Sequence, residues 1–473
     1  RYSMGSHIID SLLFGSSFGT DEMKKIFSEQ SLIEKWLDVE VALAKAQAQL
    51  NIIPQEAATE IEKKAKIELI DVRELGEDIK FTNHSLVPLL RQLENLCDRD
   101  YGQYVHYGAT TQDITDTANI LQLKEVYTVL ERDTLSILRA LRNLAEQHRM
   151  TVMPGRTHGQ HALPITFGYK VAVWLEEMNR NYVRLLEIKD RLLVGQFSGA
   201  VGTLASLGDQ GERVQQLMME QLGLHTPAIS WHTSRDNLAE FAALLGLISG
   251  TVGKIAHEIV LLQKTEVGEV EEPFHFGKVG SSTMPHKRNP STSQKIVALS
   301  RIIRHNIPIF FEGLIHEHER DQIPWQTEWE ALPEICILSS AVLSSMITVL
   351  EGLTVYEDAM RENLERTHGL ILSESVMITL GKHIGKQNGH ELVYKACMEA
   401  FEQRIPLKDV LLKNELVLQH LSQEDIAEAL DTSKYIGLST VFTKKIISRT
   451  DHLLKGAQVN GSAPDVVIEK VKK

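Results

Sequence analysis

The chain has 473 residues, of which 43% are hydrophobic and 24% are charged, and its formal net charge is −13. This is the composition of an ordinary globular protein, and an acidic chain binds polyanions poorly, so we expect no nucleic-acid partner. The length allows about two to four domains, and the apolar runs are too short for a membrane span, so we expect no membrane partner.

The three cysteines, Cys97, Cys336 and Cys397, are far apart in the chain and show no CxxC spacing. This spacing fits a reducing compartment and argues against a disulfide framework or a thiolate metal site. We therefore expect a cytoplasmic protein.

Proline spacing and apolar periodicity predict an all-α protein. Residues 1–110 are expected to form shorter helices, broken at Pro54 and near Pro88. Later stretches lack proline over long distances, which permits long helices. From the apolar patterns we predict long helices over 117–149, 167–193 and 236–266, and another that begins after Pro333. Asp116 or Thr117 is the candidate N-terminal cap of the first long helix.

The clearest of these helices is 236–266, whose apolar residues are spaced alternately four and three apart. Such spacing is typical of a helix packed in a bundle. Apolar stripes on more than one side, with Gly246, Gly250 and Gly253 allowing close approach, predict a homo-oligomer built around a central bundle. We predict three helical domains, at 1–110, at 111–360 with the long-helix bundle, and at 361–473.

The first chemically suggestive stretch is HYGATTQDITD, residues 106–116. Thr110, Thr111 and Gln112 crowd polar side chains at a helix start, where hydroxyls and backbone amides can hold a carboxylate. Taken alone, an ordinary helix cap explains this stretch as well. His84, which precedes an apolar run, fits a buried capping residue as readily as a ligand.

The second stretch is MPGRTHGQHALPIT, residues 153–166. Arg156 can bind a carboxylate with both arms of its guanidinium, and His158 can give a proton to a leaving group. Taken alone, a structural role is the more common reading for His158 and for His161. Arg235, in WHTSRD before the long helix, fits a helix start equally well.

The third stretch is GSSTMPHKRNP, residues 280–290, where the density of Gly and Pro predicts an irregular loop. Its hydroxyl at Ser281 and its charge at Lys287 suit an anionic substrate that must lose a proton. For an arbitrary basic turn, a solvated surface role would be the default. We expect no catalytic metal, since HEHE at 316–319 has no HExxH spacing, and no nucleotide cofactor, since no GxGxxG or Walker loop occurs.

The loop GSSTMPHKRNP resembles the signature loop of the fumarase/aspartase superfamily, and HYGATTQD and GRTHGQHALPITFG resemble its first and second conserved regions, in the same order. The resemblance extends from about Trp36 to about residue 450. It implies an all-α homotetramer in which three segments from three subunits meet at each site. It also implies cofactor-free anti β-elimination from a small di- or tricarboxylate, usually with fumarate as product.

By this resemblance Ser281 is the catalytic base and His158 is the general acid. The expected substrate-binding residues are His84, Thr110, Thr111, Gln112, Arg156, Arg235, Arg320, Lys287 and Asn289.

Within the superfamily, the segments around 196–207, 231–270 and 316–335 resemble the carboxymuconate cycloisomerase group, whereas His84 and His158 resemble the adenylosuccinate lyase group. Trp329 stands where adenylosuccinate lyases carry a phosphate-reading arginine, and Gln294 stands where the family often has a glutamate paired with the acid histidine. We predict a lyase that cleaves a C–N or C–S bond in a succinyl-type adduct and releases fumarate. The alternatives are 3-carboxy-cis,cis-muconate cycloisomerase, adenylosuccinate lyase proper, and a non-catalytic structural relative.

Overall fold

The computed structural model describes residues 5–460, and these residues are mostly helical. The helices before the first long helix are α1 Gly15–Phe18, α2 Asp21–Ile26, α3 Glu29–Gln49, α4 Gln55–Lys64, α5 Val72–Thr82 and α6 Val87–Leu96. The middle of the chain forms α7 Thr111–Gln147, β1 Val152–Thr157, β2 Gln160–Thr166, α8 Phe167–Leu192, α9 Gly211–Leu222, α10 Asp236–Leu262, β3 Val270–Glu271, α11 Ser291–Asn306, α12 Pro308–Glu312 and α13 Ile323–Glu351. The remaining elements are β4 Thr354–Val355, α14 Glu357–Glu365, α15 Ser373–Ile384, α16 Lys386–Gln403, α17 Leu407–Leu412, α18 Glu415–Leu418, α19 Gln423–Ala429 and α20 Ser439–Val459. The prediction of an all-α fold is confirmed.

Two compact units divide the chain, and each is assembled from three stretches. The described part of the first unit comprises 5–133, 181–250 and 298–344, and that of the second comprises 134–180, 251–297 and 345–460. The prediction of three consecutive domains rests on composition and remains a prediction.

In the first unit, α3 packs against α4 and α9 and buries Leu37 and Leu43. Tyr127 of α7 is fully buried and donates its hydroxyl hydrogen to the carbonyl of Leu185 at 2.9 Å, so the polar end of this large ring is satisfied. A Cβ at Gly246 would overlap the side chain of Ile307, which lies between α11 and α12. Glycine there permits the close helix approach that the sequence predicts.

In the second unit, β1 and β2 form an antiparallel hairpin with a bulge between Pro154 and Arg156. Its tip is His158–Gly159, and both residues have positive φ, as a tight hairpin turn requires. This hairpin was not predicted, because the prolines and glycines in its strands conceal any alternation of apolar residues. The short strands β3 and β4 also pair antiparallel, and helices α15 and α16 pack around a separate apolar core.

The long helices lie close to their predicted positions, with two corrections. Helix α7 begins at Thr111, so Asp116 and Thr117 are inside it and cap nothing. Asp116 is instead buried in an ion pair with Arg235, and Thr117 donates its hydroxyl hydrogen to the carbonyl of Gln196 at 2.7 Å. Helix α13 begins at Ile323 and continues through Pro333.

Helix α13 tolerates its internal proline because apolar residues are buried on both sides of it, among them Leu332 and Ile335. This burial outweighs the roughly 3 kcal/mol that an internal proline costs.

Helices α10 and α13 are long and apolar enough to cross a membrane by length and composition, but 72% and 67% of their most apolar windows are buried inside the fold. Such burial is what core helices of a globular protein show. Helix α20 ends at Val459, one residue before the end of the described part of the chain.

Candidate active site

The signature loop, defined here as residues 277–290, lies in the second unit and contains no helix or strand. A Cβ at Gly280 would overlap the carbonyl oxygen of Lys287, so the two arms of the loop touch through backbone atoms. The side-chain amide of Asn289 donates to the carbonyl of Gly280 and closes the same contact. The loop therefore folds back on itself, which explains why glycine is needed at position 280.

Within this loop, Ser281 is held by backbone donors. Its Oγ accepts the N–H of Thr283 at 3.3 Å and the N–H of Met284 at 3.2 Å. Donors aimed at a hydroxyl oxygen favour its ionised form. These two donors hold the Ser281 hydroxyl in place, and its role as the catalytic base remains a prediction.

The two positive side chains that end the loop differ in their environment. Arg288 pairs with Glu271 at 2.9 Å and lies 4.2 Å from the ring centroid of Phe274. Lys287 is exposed and has no ion pair among residues 5–460. Its charge is therefore free for a ligand, whereas that of Arg288 is used within the fold.

The hairpin β1–β2 carries the second predicted group of site residues. Arg156 donates from both terminal nitrogens to Glu269, at 2.9 and 2.7 Å, and Glu269 is completely buried. His158 lies exposed at the hairpin tip. Burial, followed by the charge of Arg156, lowers the pKa of His161. Arg156 thus has an internal partner, and its role as a substrate ligand remains a prediction.

Two of the predicted ligands in the first unit form a linked pair at the start of α7. His84 Nδ1 accepts the N–H groups of Leu86 and Val87 at 3.2 and 3.0 Å. In the neutral ring the proton then resides on Nε2, which faces the hydroxyl of Thr111 at 3.5 Å. His84 therefore caps the backbone before α6 and also lies next to Thr111. A capping role and a ligand role, the two alternatives left open by the sequence, are compatible.

Asp113, which sequence reasoning missed, organises the backbone around this pair. Its carboxylate is fully buried and accepts the N–H of Thr110, Ser198 and Gly199, each at 3.0 Å. It also contacts Nε2 of His232 at 2.7 Å. The sequence shows Asp113 only as an acidic residue inside HYGATTQD. Its partners at Ser198, Gly199 and His232 are remote in the sequence and could not be inferred from residue spacing.

A buried ion-pair cluster surrounds Arg235. Its guanidinium donates to Asp116 at 2.9 and 3.0 Å and to Glu328 at 2.9 and 2.6 Å. Burial raises the pKa of Glu328 against the opposing effect of Arg235. Both arms of Arg235 are thus occupied by carboxylates of its own unit, and its predicted contact with substrate remains untested.

Gln112 connects this cluster to Arg320. Its amide nitrogen donates to Asp116 at 3.1 Å and to the carbonyl of His232 at 3.0 Å, and its oxygen accepts Nε of Arg320 at 3.1 Å. Arg320 is partly exposed, and its Nη2 has no hydrogen-bond partner among the described residues. Of the two arginines in this unit that are predicted to bind substrate, Arg235 and Arg320, only Arg320 has a nitrogen without a hydrogen-bond partner among the described residues.

The predicted site residues therefore fall into two groups. The first unit gathers His84, Thr110, Thr111, Gln112, Arg235 and Arg320, and the second carries Arg156, His158, Ser281, Lys287 and Asn289. No hydrogen bond joins Ser281 to His158 in the part of the chain described.

A cavity of about 620 Å³ also lies beside the loop, lined by residues that include Glu271, Phe274, Arg288 and Tyr356. Its lining includes Gly277, Pro285 and His286 of the loop, but not Ser281, Lys287 or Asn289.

Known proteins resemble this chain over most of its length. A family profile described as lyase matches residues 16–304, and one described as adenylosuccinate lyase C-terminus matches residues 369–446. The chain is 44% identical to N-acetyl-S-(2-succino)cysteine lyase of Dickeya dadantii, covering 95% of this chain and 98% of that protein. It is 43% identical to the protein of the same name from Enterococcus italicus, covering 97% and 99%.

Among solved structures, 3-carboxy-cis,cis-muconate lactonizing enzyme from Pseudomonas putida matches with a TM-score of 0.89 and 37% identity, covering 93% of this chain and 99% of that one. These matches confirm the prediction of a lyase. The chain belongs to the lyase family of the fumarase/aspartase superfamily, to which the order of its three motifs pointed.

Proposed function

We propose that this protein is a cofactor-free lyase that cleaves the C–S bond of an S-(2-succino)cysteine derivative by anti β-elimination and releases fumarate. The two relatives named N-acetyl-S-(2-succino)cysteine lyase support this substrate class, since each matches more than nine-tenths of both chains. The substrate is a small anionic carboxylate, as the resemblance implies.

The observation that carries this proposal is the pair of backbone hydrogen bonds to Oγ of Ser281. Elimination begins when a base removes a proton from the carbon beside a carboxylate, and a serine can do so only as an alkoxide. The amides of Thr283 and Met284, with the positive charge of Lys287 in the same loop, favour that form. In this reading Ser281 takes the proton, and the electron pair of the broken C–H bond moves into the adjacent carboxylate.

The intermediate formed in this way is an aci-carboxylate with two negative charges. The free charge of Lys287, with Asn289, Thr110 and Thr111, supplies donors for it. These groups accelerate the reaction only to the extent that they bind the intermediate more strongly than the substrate. The electron pair held in the aci-carboxylate then forms the C=C bond of fumarate while the C–S bond breaks, and the C–S electron pair leaves with sulfur.

The residue at position 294 favours sulfur as the leaving atom over nitrogen. Gln294 lies in the first turn of α11, at the position where the family often places a glutamate beside the acid histidine. A neutral amide does not raise the pKa of a histidine as a carboxylate does. A cysteine thiol has a pKa of about 8.5, so a thiolate leaves with little help, whereas an amine must be protonated. His158 is the group we assign to protonate the leaving atom.

Trp329 argues against a phosphorylated leaving group. Its side chain is 40% exposed and its ring lies 4.8 Å from that of Trp325. The neighbouring acid, Glu328, is committed to Arg235. An aromatic surface beside carboxylates suits an uncharged acyl group better than a phosphate.

We also propose that the active protein is a cytoplasmic homotetramer with shared active sites. Exposed apolar side chains on α8, α10 and α11 support self-association, because helices of other subunits packed in a bundle would cover them. They are Val173, Leu186, Leu247 and Ile302. Sites shared between subunits would also account for the lack of a hydrogen bond between Ser281 and His158.

The test is fumarate release from four compounds: N-acetyl-S-(2-succino)cysteine, an N-succinyl amine, adenylosuccinate and 3-carboxy-cis,cis-muconate. We expect rapid release from the thioether and a loss of about 10²–10⁴-fold in Ser281→Ala. The matched variant Ser282→Ala removes the adjacent exposed hydroxyl and should retain most of the activity. Turnover of the muconate without fumarate would replace the proposal with a cycloisomerase, and an unaffected Ser281→Ala would remove Ser281 as the base.

A further inference from the structure

Glu272 lies immediately before the segment that leads into the signature loop, and its side chain is 2% exposed. One oxygen accepts the N–H of Thr292 at 3.0 Å and lies 3.3 Å from Nζ of Lys278. The other accepts both the N–H and the hydroxyl of Ser293, each at 2.8 Å. The carboxylate therefore contacts Lys278 on one side of Ser281 and Lys287 in the chain, and Thr292 and Ser293 on the other side.

Thr292 and Ser293 belong to the first turn of α11, whose N–H groups have no partner inside the helix. A carboxylate at a helix N-terminus satisfies such groups and interacts favourably with the helix dipole. Glu272 thus caps α11 although it lies about 20 residues earlier in the chain. The cap fixes the point at which the loop ends.

The same residue fixes the point at which the loop begins. Lys278 is one residue past Gly277, and its ammonium also contacts the carbonyl of Pro273 at 3.4 Å. The backbone N–H of Glu272 donates to Gln263 at 2.9 Å, and the Gln263 amide donates to the carbonyl of Arg288 at 3.3 Å. Glu272 and its hydrogen-bonded neighbour therefore tie both arms of the loop to the end of α10.

We propose that Glu272 is a positioning residue for the elimination: it touches no reacting atom, and it sets the location of Ser281 and Lys287 by holding Lys278 and Ser293. This inference rests on the proposed function in so far as Ser281 is the base. A misplacement of about 1 Å in a reacting group can lower turnover by about 10²-fold. Loss of the Glu272 charge releases both arms of the loop together.

The test compares Glu272→Gln with the full-length parent protein by amide hydrogen exchange and by steady-state kinetics. We expect faster exchange at residues 276–289, unchanged exchange in α10, and a fall of about 10²-fold in kcat with little change in KM. Ser293→Ala, which removes one of the four contacts, should show the same pattern to a smaller degree. Glu258→Gln is the matched control, because Glu258 pairs with Lys170 on the same unit without touching the loop.

Unchanged loop exchange in Glu272→Gln would overturn the inference whatever the activity. A uniform rise in exchange across the second unit, with a lowered melting temperature, would also overturn it, because that is the signature of a purely structural carboxylate. If Glu272→Gln does not fold, the same exchange and kinetic measurements are made on Ser293→Ala, and unchanged loop exchange in that variant would overturn the inference. The exchange measurement requires no substrate, so failure of the proposed function would be seen separately, as absence of fumarate from the parent protein.

Discussion

Arg156 and Glu269 form a two-pronged ion pair, with nitrogen–oxygen distances of 2.9 and 2.7 Å, that ties the hairpin carrying His158 to the segment ahead of the signature loop. Glu269 is completely buried, and Asn363 donates to the same carboxylate at 2.7 Å. All the donors around this carboxylate come from within the second unit. The pair therefore holds the hairpin, which is a different task from the carboxylate binding predicted for Arg156 from the sequence.

We expect Arg156→Leu to lower the free energy of unfolding by about 3–5 kcal/mol, because it leaves the charge of Glu269 buried without its partner. The double variant Arg156→Leu/Glu269→Met should recover most of this loss, since two apolar side chains can replace a buried ion pair. Urea denaturation of the three proteins measures both effects. Normal stability of Arg156→Leu together with a raised KM would instead support the substrate-binding role predicted from the sequence.

His106 predicts a pH dependence of stability. Burial lowers the pKa of His106, but the charge and hydrogen bond of Glu40, 2.6 Å away, outweigh burial and raise it above its ordinary value of 6.5. The folded state therefore binds this proton more tightly than the unfolded state does. The resulting stabilisation is fully present below pH 6.5 and is lost as the pH rises through the folded-state pKa.

The measurement compares the free energy of unfolding in urea of the parent protein with that of His106→Asn, over about two pH units on each side of pH 6.5. We expect the stability difference between the two proteins to shrink as the pH rises. A difference that is the same at every pH would show that the imidazole contributes by packing alone.

Gly280 and Gly277 form a matched pair of glycines in the signature loop. A Cβ at Gly280 would overlap the backbone carbonyl of Lys287, whereas one at Gly277 would meet open space. We expect Gly280→Ala to separate the two arms of the loop and to lower kcat by about 10²-fold. Gly277→Ala meets only the cost of a positive φ, about 1 kcal/mol, and should keep the loop contact. Equal kinetic losses in both variants would argue against the contact as the cause.

The fold was predictable where its causes are local. Helix α10 was expected over 236–266 and is found at Asp236–Leu262, because apolar residues at helical spacing are visible in any short window of sequence. The hairpin β1–β2 was not predicted because prolines and glycines in its strands conceal any alternation of apolar residues, and its turn is evident only from the positive φ of His158 and Gly159. Asp116 was misread as a cap because its partner, Arg235, lies 119 residues away.

The candidate site was predictable in part, for the same physical reason. Ser281, Lys287 and Asn289 are recognisable because they stand together in one loop with a distinctive composition. The buried acids that hold the site residues in place, Asp113, Glu269, Glu272 and Glu328, were not recognised. Each acts through partners that only folding brings close, and an isolated acid in a sequence looks the same whether it is solvated or buried.

His158 gives the prediction that bears most directly on the leaving group. A general acid contributes about 10²–10⁴-fold when the leaving atom must be protonated and much less when it departs readily as an anion. We therefore expect His158→Gln to lower kcat by that factor on an N-succinyl amine and by less than about 10-fold on an S-succino thiol. A series of S-succino thiols with thiol pKa values on both sides of about 8.5 should show a growing loss as the thiol becomes more basic. The matched variant His161→Gln removes the second, half-buried histidine of the hairpin and should give no such gradient. Equal losses across the series would exclude His158 as the acid and leave it a role in binding or in the turn at the hairpin tip.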